Sequence, residues 1–322
     1  MNNDIIKVRN LKKHYKTKDG MLKALDGVDL SIKEGEIVGV IGESGCGKST
    51  LAKLIIGLNT PTEGEILYKD KSVEEWLRKD KLKFRRDLQM IFQNPYDVFD
   101  SKMKIEEILL SPLKIHKIGQ NKNERLDIIR AGLSKAGFKN PDDFLKRYPR
   151  ELSGGQLQRI SIVRSMLLKP KVIIADEPVS MLDVSIRADI INMLIDIRDE
   201  MNVSMFYISH DIPTTQFLVQ KLVVMYLGKI VEYGPTEMVI NNPSHPYTKA
   251  LISHVGSIDP THKIDRIKLK GEVPKPIGMR PGCYFESRCY CSLEKCRREY
   301  PEFIEIERDH YISCFNPENR YI

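Results

Sequence analysis

The stretch "IVGVIGESGCGKSTLAKLIIG" (37 to 57) limits what this chain can fold into more than any other segment. "IVGVIG" is a short, unbroken apolar run, the pattern of a strand covered on both faces. A glycine-rich turn follows, and "KSTLAKLIIG" then reads as a helix. Strand, glycine loop and helix in succession open an α/β fold. Upstream, "IIKVRNL" (5 to 11) reads as a strand, and "ALDGVDLSI" (24 to 32) alternates apolar and polar residues as a half-buried strand does.

Residues 104 to 168 change character. Helical periodicity dominates "IEEILLSPL", "NERLDIIRAGLSKAG", "DDFLKRY" and "GGQLQRISIVRSMLL". Strand patterns return in "VIIAD" (172 to 176), "SMFYIS" (204 to 209) and "KLVVMYLG" (221 to 228), with "VSIRADIINMLIDIRDEM" a helix between the first two. A mostly helical insert is thus expected inside an α/β core. Gly228 marks a turn in "MYLGKIVEYG", read as a late hairpin. After about residue 240, prolines recur at 243, 246, 260, 274, 276 and 281, which suggests a loop-rich extension.

With 322 residues the chain can bury a large core and carry an appendage. An apolar share of 41% and a charged share of 30% fit a soluble globular protein. "MNNDIIKVRN" has no apolar h-region, so no secretory signal is expected. No uncharged apolar run approaches the length of a bilayer span; "FLVQKLVVMYLGK" is broken by Lys221. The net charge of +7 raises nucleic acid or anionic lipid as a partner, but net charge alone is a weak indicator. The densest basic run, "RKDKLKFRR" (78 to 86), contains Asp80 and reads as a solvated helix face.

"GESGCGKS" (42 to 49) fits G-x-x-x-x-G-K-[ST] between strand and helix. In Gly42, Glu43, Ser44, Gly45, Cys46, Gly47, Lys48, Ser49 and Thr50, glycines let backbone N–H groups cradle phosphates. Lys48 can reach the outer phosphates, and the Ser49 hydroxyl can ligate Mg²⁺. "VIIADEP" (172 to 178) sets Asp176 at the end of a buried strand, suited to holding Mg²⁺ through water. Glu177 follows directly and can orient the attacking water or accept its proton. In "LSGGQLQR" (152 to 159), Ser153, Gly154, Gly155 and Gln156 open a helix and form a second anion-binding N-terminus.

This last segment resembles the signature motif of ATP-binding cassette (ABC) proteins. In that family it contacts the γ-phosphate held by the opposite subunit. The resemblance extends along the chain and implies roles for single residues. Tyr15 in "LKKHYKT" looks like the aromatic that stacks on adenine, and Gln93 in "MIFQNPY" like the glutamine that reaches Mg²⁺ and the attacking water. "SMLD" (180 to 183), with Asp183, resembles the D-loop, although Met181 replaces the more usual alanine. His210 in "YISHD" looks like the switch histidine facing the γ-phosphate. The implied fold is α/β, a P-loop NTPase nucleotide-binding domain over residues 1–250. It would hold a helical subdomain at about 94–168 and carry a cysteine-containing extension over 251–322.

"NNPSHPYTKALIS" (241 to 253) and "GEVPKPIGMRPGCYFESRC" (271 to 289) resemble the segments that follow the cassette in oligopeptide and dipeptide importers. That group also takes up nickel and some oligosaccharides, and motif order does not separate these cargoes. The resemblance implies an ATP-hydrolysing subunit on the cytoplasmic face of the membrane. Its partners would be a second ATPase (a copy or a paralogue), two permease subunits and an extracytoplasmic substrate-binding protein. The helical insert, especially around 93–103, would be the docking surface. A soluble ABC ATPase acting on nucleic acid or ribosomes is the alternative. One cassette, no sustained heptad run and the importer-like tail stand against it.

Four of six cysteines fall within residues 283 to 296. Cys283, Cys289, Cys296 and Cys314 are spaced x5, x6 and x17, and Cys291 stands outside that pattern. From spacing alone zinc, an iron–sulfur cluster and free thiols stand level. In the resembled group, four cysteines so spaced can bind a [4Fe–4S] cluster, which places the cluster first and Zn²⁺ next, in a structural role. With no catalytic motif in the tail, the cluster is expected to sit away from the nucleotide. Cys46 reads as a small residue within the phosphate loop.

Overall fold

A computed structural model describes residues 3–255 and 266–317. The chain divides into two compact units, Met1–Val73 with Phe206–Ile322, and Glu74–Met205. Residues 256–265 and 318–322 of the expected extension lie outside the described residues.

The first unit opens with β1 (Asp4–Thr17), β2 (Gly20–Lys33), β3 (Ile37–Ile41), α1 (Lys48–Ile55), β4 (Glu63–Tyr68) and β5 (Lys71–Ser72). An antiparallel sheet runs β2-β1-β4-β5. All five residues of β3 are buried, as its unbroken apolar run requires.

α2 (Val73–Lys79) leads into the second unit, where α3 (Lys81–Asp87) and β6 (Leu88–Ile91) follow. The basic run expected to form one helix face is therefore two helices. Asp80 divides them, because its carboxylate accepts from Lys83 N at 3.2 Å and caps α3, while Phe84 turns inward and is fully buried. The helices α4 (Ile105–Ile115), α5 (Lys122–Lys135), α6 (Pro141–Leu145) and α7 (Gly154–Met166) follow. Their apolar faces share one core, centred on Leu109, Leu133 and Ile160. β7 (Val172–Asp176), entirely buried, pairs in parallel with β6, Ile91 against Ala175. α8 (Val184–Met201) covers the whole stretch read as helix from sequence.

β8 (Ser204–Ile208) crosses back to the first unit, where α9 (Ile212–Leu218), β9 (Lys221–Tyr226) and β10 (Lys229–Pro235) complete its second sheet. β9 lies parallel to β3 and antiparallel to β10. Leu227 and Gly228 both take positive φ, 43° and 80°, as a two-residue hairpin turn of the right twist demands.

α10 (Thr236–Asn241) and α11 (Pro246–Val255) come next, then α12 (Lys295–Arg298), β11 (Ile304–Glu307) and β12 (His310–Ile312). Between residues 266 and 317 regular elements are few and short, in keeping with the prolines. What ties this segment down is buried polar chemistry. Glu232 on β10, fully buried, accepts from Ser244 N at 2.8 Å and His245 N at 2.9 Å, and its Oε1 lies 2.8 Å from His310 Nε2 on β12. A carboxylate only accepts, so the imidazole donates. β12 then adds to the edge of β10, with Glu232 opposite Ile312.

Candidate functional site

In the first unit, the loop after β3 has the shape that its glycines permit. Gly42 has φ 150°, and a Cβ there would lie 2.3 Å from Met225 O. Gly47 has φ 108°, and a Cβ there would lie 2.5 Å from Ala24 O. Both positions need glycine on two counts, conformation and space. Gly47 is the N-cap of α1 with no side-chain cap, and no acidic residue stands in the first turn. The first N–H groups of the helix thus face the loop without a carboxylate among them, as anion binding requires. Lys48 is 7% exposed, and its Nζ donates to Gly42 O at 2.7 Å and Glu43 O at 3.0 Å. Its ammonium is thereby held within the loop. Ser44, Gly45 and Ser49 are exposed, Thr50 half-buried and Cys46 buried beside Lys48. Burial pushes the Cys46 thiol up, so it is a small filler here and not a poised thiolate.

Every polar group of Glu43 is engaged. Its N–H donates to Tyr247 Oη at 2.8 Å, its carbonyl takes Lys48, and its carboxylate receives both arms of Arg288, at 2.6 Å and 3.0 Å. Arg288 lies between Cys283 and Cys289. The cysteine-bearing segment therefore meets the phosphate loop through Arg288, a contact that the expectation of a cluster away from the nucleotide did not foresee. Sequence reading missed this because residues 43 and 288 share no local pattern.

The tail makes a second contact with this unit. Ile277 forms a bridge with Leu22, and Lys23 N donates to Pro276 O at 2.8 Å. Leu22 is the β2 partner of Tyr15. Tyr15 itself is 38% exposed, with Lys13 Nζ 5.1 Å from its ring centre. Its ring is thus open to stacking. His210 follows β8, where Ser209 N donates to Val40 O at 3.1 Å. That bond brings His210, itself exposed, to the end of β3 from which the glycine loop leaves.

In the second unit, the parallel register of β6 and β7 brings two further residues together. Gln93 and Glu177 each lie two residues past the paired Ile91 and Ala175, and Gln93 Nε2 donates to Glu177 Oε2 at 2.9 Å. Asp176 closes β7 and is buried. Glu177 takes φ 48° immediately before Pro178, a conformation that costs about 1–3 kcal/mol. The turn that follows holds it there: Ser180 N and Ser180 Oγ both donate to Glu177 O, at 3.2 Å and 3.1 Å.

Ser153 caps α7. Its Oγ accepts from Gln156 N at 3.3 Å, and Gln156 Oε1 accepts from Ser153 N at 3.1 Å. Gly154 is half-buried. At Gly155 a Cβ would lie 2.7 Å from Ile186 Cγ2, so glycine there lets α7 approach α8. Asp183, exposed, is the N-cap of α8 and makes no side-chain cap bond, while Met181 and Val184 beside it stand 62% and 80% exposed. Tyr96 Oη donates to Leu152 O at 3.2 Å, tying segment 93–103 to the start of the signature stretch.

The cysteines are all unbridged. Burial raises the Cys283 thiol to about 12, with the charges of Cys296 and Cys314 adding to the rise. Burial likewise raises Cys314 to about 11. Cys289 is raised by burial, and its Sγ lies 3.7 Å from that of Cys291. Cys296 Sγ accepts from Leu293 N and Cys314 Sγ from Asn316 N, at 3.4 Å and 3.3 Å. Among the described residues, no group of three or more His, Cys, Asp or Glu side chains is arranged as a metal-ligand set.

The fold is that of a P-loop ATP-binding cassette. It is similar to a dimeric cassette bound to ADP and Pi in a post-hydrolysis state (TM-score 0.65, 30% identity, 72% of this chain and 98% of that one). It is also similar to cbiO1 of Clostridium perfringens, part of the ABC transporter complex cbiONQ (TM-score 0.64, 26% identity, 74% and 92%). Residues 25–180 match the ABC transporter family, and residues 231–296 the oligopeptide/dipeptide transporter C-terminal region. The chain belongs to the ABC transporter family of ATP-binding proteins, in the group that carries this C-terminal region. It is 41% identical over 321 residues to the dipeptide transport ATP-binding protein DppF of Haemophilus influenzae, covering 98% of this chain and 97% of that one. To the putative oligopeptide transport ATP-binding protein YkfD of Bacillus subtilis it is 40% identical over 313 residues (96% and 94%). To DppF of Escherichia coli it is 39% identical over 317 residues (97% and 94%).

Proposed function

We propose that this chain is the ATP-hydrolysing subunit that energises import of oligopeptides or dipeptides across the cytoplasmic membrane. The observation that carries this reading is similarity to peptide-transport ATP-binding proteins over nearly the whole length, tail included. The same similarity does not favour a soluble ATPase acting on nucleic acid or ribosomes, nor nickel or oligosaccharide as cargo. Among the described residues no helix is long and apolar enough to cross a membrane. In this reading transport runs through partner permeases, with a binding protein outside and a second cassette, identical or paralogous, beside this one. The helical insert, especially around 93–103, is the docking face for the permeases.

In this reading Gly42 to Thr50 and Tyr15 bind ATP, Tyr15 through its exposed ring. Ser49, Gln93 and Asp176 are the residues assigned to Mg²⁺, which would neutralise charge developing on the phosphates. Glu177 orients the attacking water and takes its proton; Gln93 and His210 position the γ-phosphate and water. Ser153 to Gln156 present their helix N-terminus to ATP on the opposite subunit, with Asp183 at the D-loop. The Ser153 oxygen already accepts within its cap, so its hydroxyl hydrogen remains to donate to a phosphate oxygen. Cycles of closure on ATP and opening after hydrolysis would drive the permeases.

We also propose a [4Fe–4S] cluster, or Zn²⁺ as its alternative, on Cys283, Cys289, Cys296 and Cys314. The donor chemistry behind it is four unbridged thiols carried by one segment, two of which, Cys296 and Cys314, accept backbone N–H bonds. The structure offers no preformed ligand set, so ligation would draw the thiols together. The group would cross-link a segment with few regular elements.

The deciding experiment is reconstitution in vesicles with its cognate permeases and binding protein. ATP-dependent uptake of a labelled dipeptide or oligopeptide is expected. Uptake of nickel or an oligosaccharide instead, or ATPase activity responsive only to nucleic acid or ribosomes, would overturn the reading.

A further inference from the structure

A carboxylate stands in a loop assigned to bind a polyphosphate. Glu43 follows Gly42 directly and its side chain is 25% exposed. Left alone, its charge would oppose the incoming phosphates and draw on Lys48, the cation that the loop itself supplies. The structure supplies a separate cation from the other end of the chain. The Arg288 side chain is 7% exposed and grips both carboxylate oxygens. This fork geometry is the strong form of an ion pair.

Arg288 is set in place by its own segment. Arg288 N donates to Phe285 O at 3.0 Å within the short turn Glu286–Arg288. Phe285 is 1% exposed and packs against Tyr226 and Tyr247, with ring centres 5.2 Å and 5.4 Å away. Tyr247 is also the residue that receives the Glu43 N–H. One aromatic cluster thus anchors both the loop backbone and the turn that carries the guanidinium.

We propose that Arg288 is a positioning residue for nucleotide binding: it neutralises and orients Glu43, so that the phosphate loop can contain a carboxylate and still accept a polyphosphate. This rests on the reading of residues 42–50 as the ATP phosphate loop. The tail then acts on the nucleotide through charge, whatever its cysteines bind.

The test is a titration of the full-length protein with mant-ATP and Mg²⁺ at low and high salt. Arg288→Gln should weaken binding roughly fivefold to tenfold at low salt, because it leaves an unneutralised charge beside the phosphates. The loss should shrink at high salt, where screening is stronger, which a packing defect would not do. Adding Glu43→Gln in the Arg288→Gln background should restore affinity to within about twofold. Arg288→Lys keeps the charge but not the fork, so its affinity should fall between wild type and Arg288→Gln. Unchanged affinity in Arg288→Gln, or a double variant as weak as Arg288→Gln, overturns the proposal. The second result would also expose a tail that had merely failed to dock. If wild-type protein did not bind mant-ATP at all, the phosphate-loop assignment itself would fail, a result distinct from either.

Discussion

Removal of the Glu232 carboxylate tests how the C-terminal segment is held. The side chain is 0% exposed and serves three donors, Ser244 N, His245 N and His310 Nε2, all within 2.9 Å. Glu232→Ala leaves these three donors buried without an acceptor. Each orphaned group costs about 1–3 kcal/mol, and breaking a buried pair by removing one partner costs about 3–5 kcal/mol. Partial relaxation puts the expected total near the second range. For a unit of this size that corresponds to a fall in Tm of ~6–20 °C. Glu232→Gln should cost less, about 2 kcal/mol, since one amide oxygen still accepts while the NH₂ is set against a donor. Thermal unfolding followed by circular dichroism measures both variants. Limited proteolysis should show cleavage between residues 266 and 317 before cleavage of the strands around β3. A Glu232→Ala protein that melts within 1 °C of wild type and resists the protease would refute this account of the tail.

Glu177→Gln should keep ATP affinity, lose turnover by ~10²-fold or more and trap an ATP-bound dimer; near-normal ATPase activity would remove Glu177 from the role. Ser153→Arg should leave monomer binding of mant-ATP intact and abolish ATP-driven dimerisation, read by size-exclusion chromatography; loss of monomer binding would show that Ser153 acts within its own chain. Burial lowers the His245 imidazole to about 4, so between that value and its ordinary 6.5 the unfolded chain takes up a proton that the folded one refuses. Its contribution, about 3 kcal/mol, is complete above pH 6.5 and lost as pH falls towards 4. The stability gap between wild type and His245→Asn, which keeps an acceptor for Tyr247 N, should narrow by that order from pH 7 to 4.5 in urea titrations, and an unchanged gap would refute it. Anaerobically purified protein should be brown with about four irons per chain if the cysteines bind a cluster, and colourless with one Zn²⁺ for the alternative. Absence of both metals, with all thiols titrating freely, would dismiss the site.

The parts legible from sequence are those whose cause is local. The buried run of β3, the glycines of its loop and the 3.6-residue rhythm of α8 each lie within one short window, and the structure has all three. The pairing that brings Gln93 to Glu177 was not legible, because it depends on β6, a strand that the sequence reading did not recognise. Where one residue changes the outcome, local pattern misleads. The basic run carried an unbroken helical signal, yet Asp80 caps a second helix inside it. The strands β4 and β6 were not separated from their surroundings: the first three residues of β4 are exposed and break any apolar run, and β6 has only four residues. Nothing local announces the buried ties of the tail. Glu232 looks like any charged strand residue until His310, 78 positions away, is seen beside it.

The ion pair between Glu43 and Arg288 spans 245 positions of sequence. During synthesis the phosphate loop leaves the ribosome long before its charge partner exists. At about 5–20 residues per second the interval is roughly 12–50 s. Strand β3 and helix α1 can fold within that time, but the loop between them carries a bare carboxylate until the cysteine segment emerges and docks. The nascent cassette is thus held below its full affinity for nucleotide by the order of its own translation, and becomes a competent motor only when its last elements arrive.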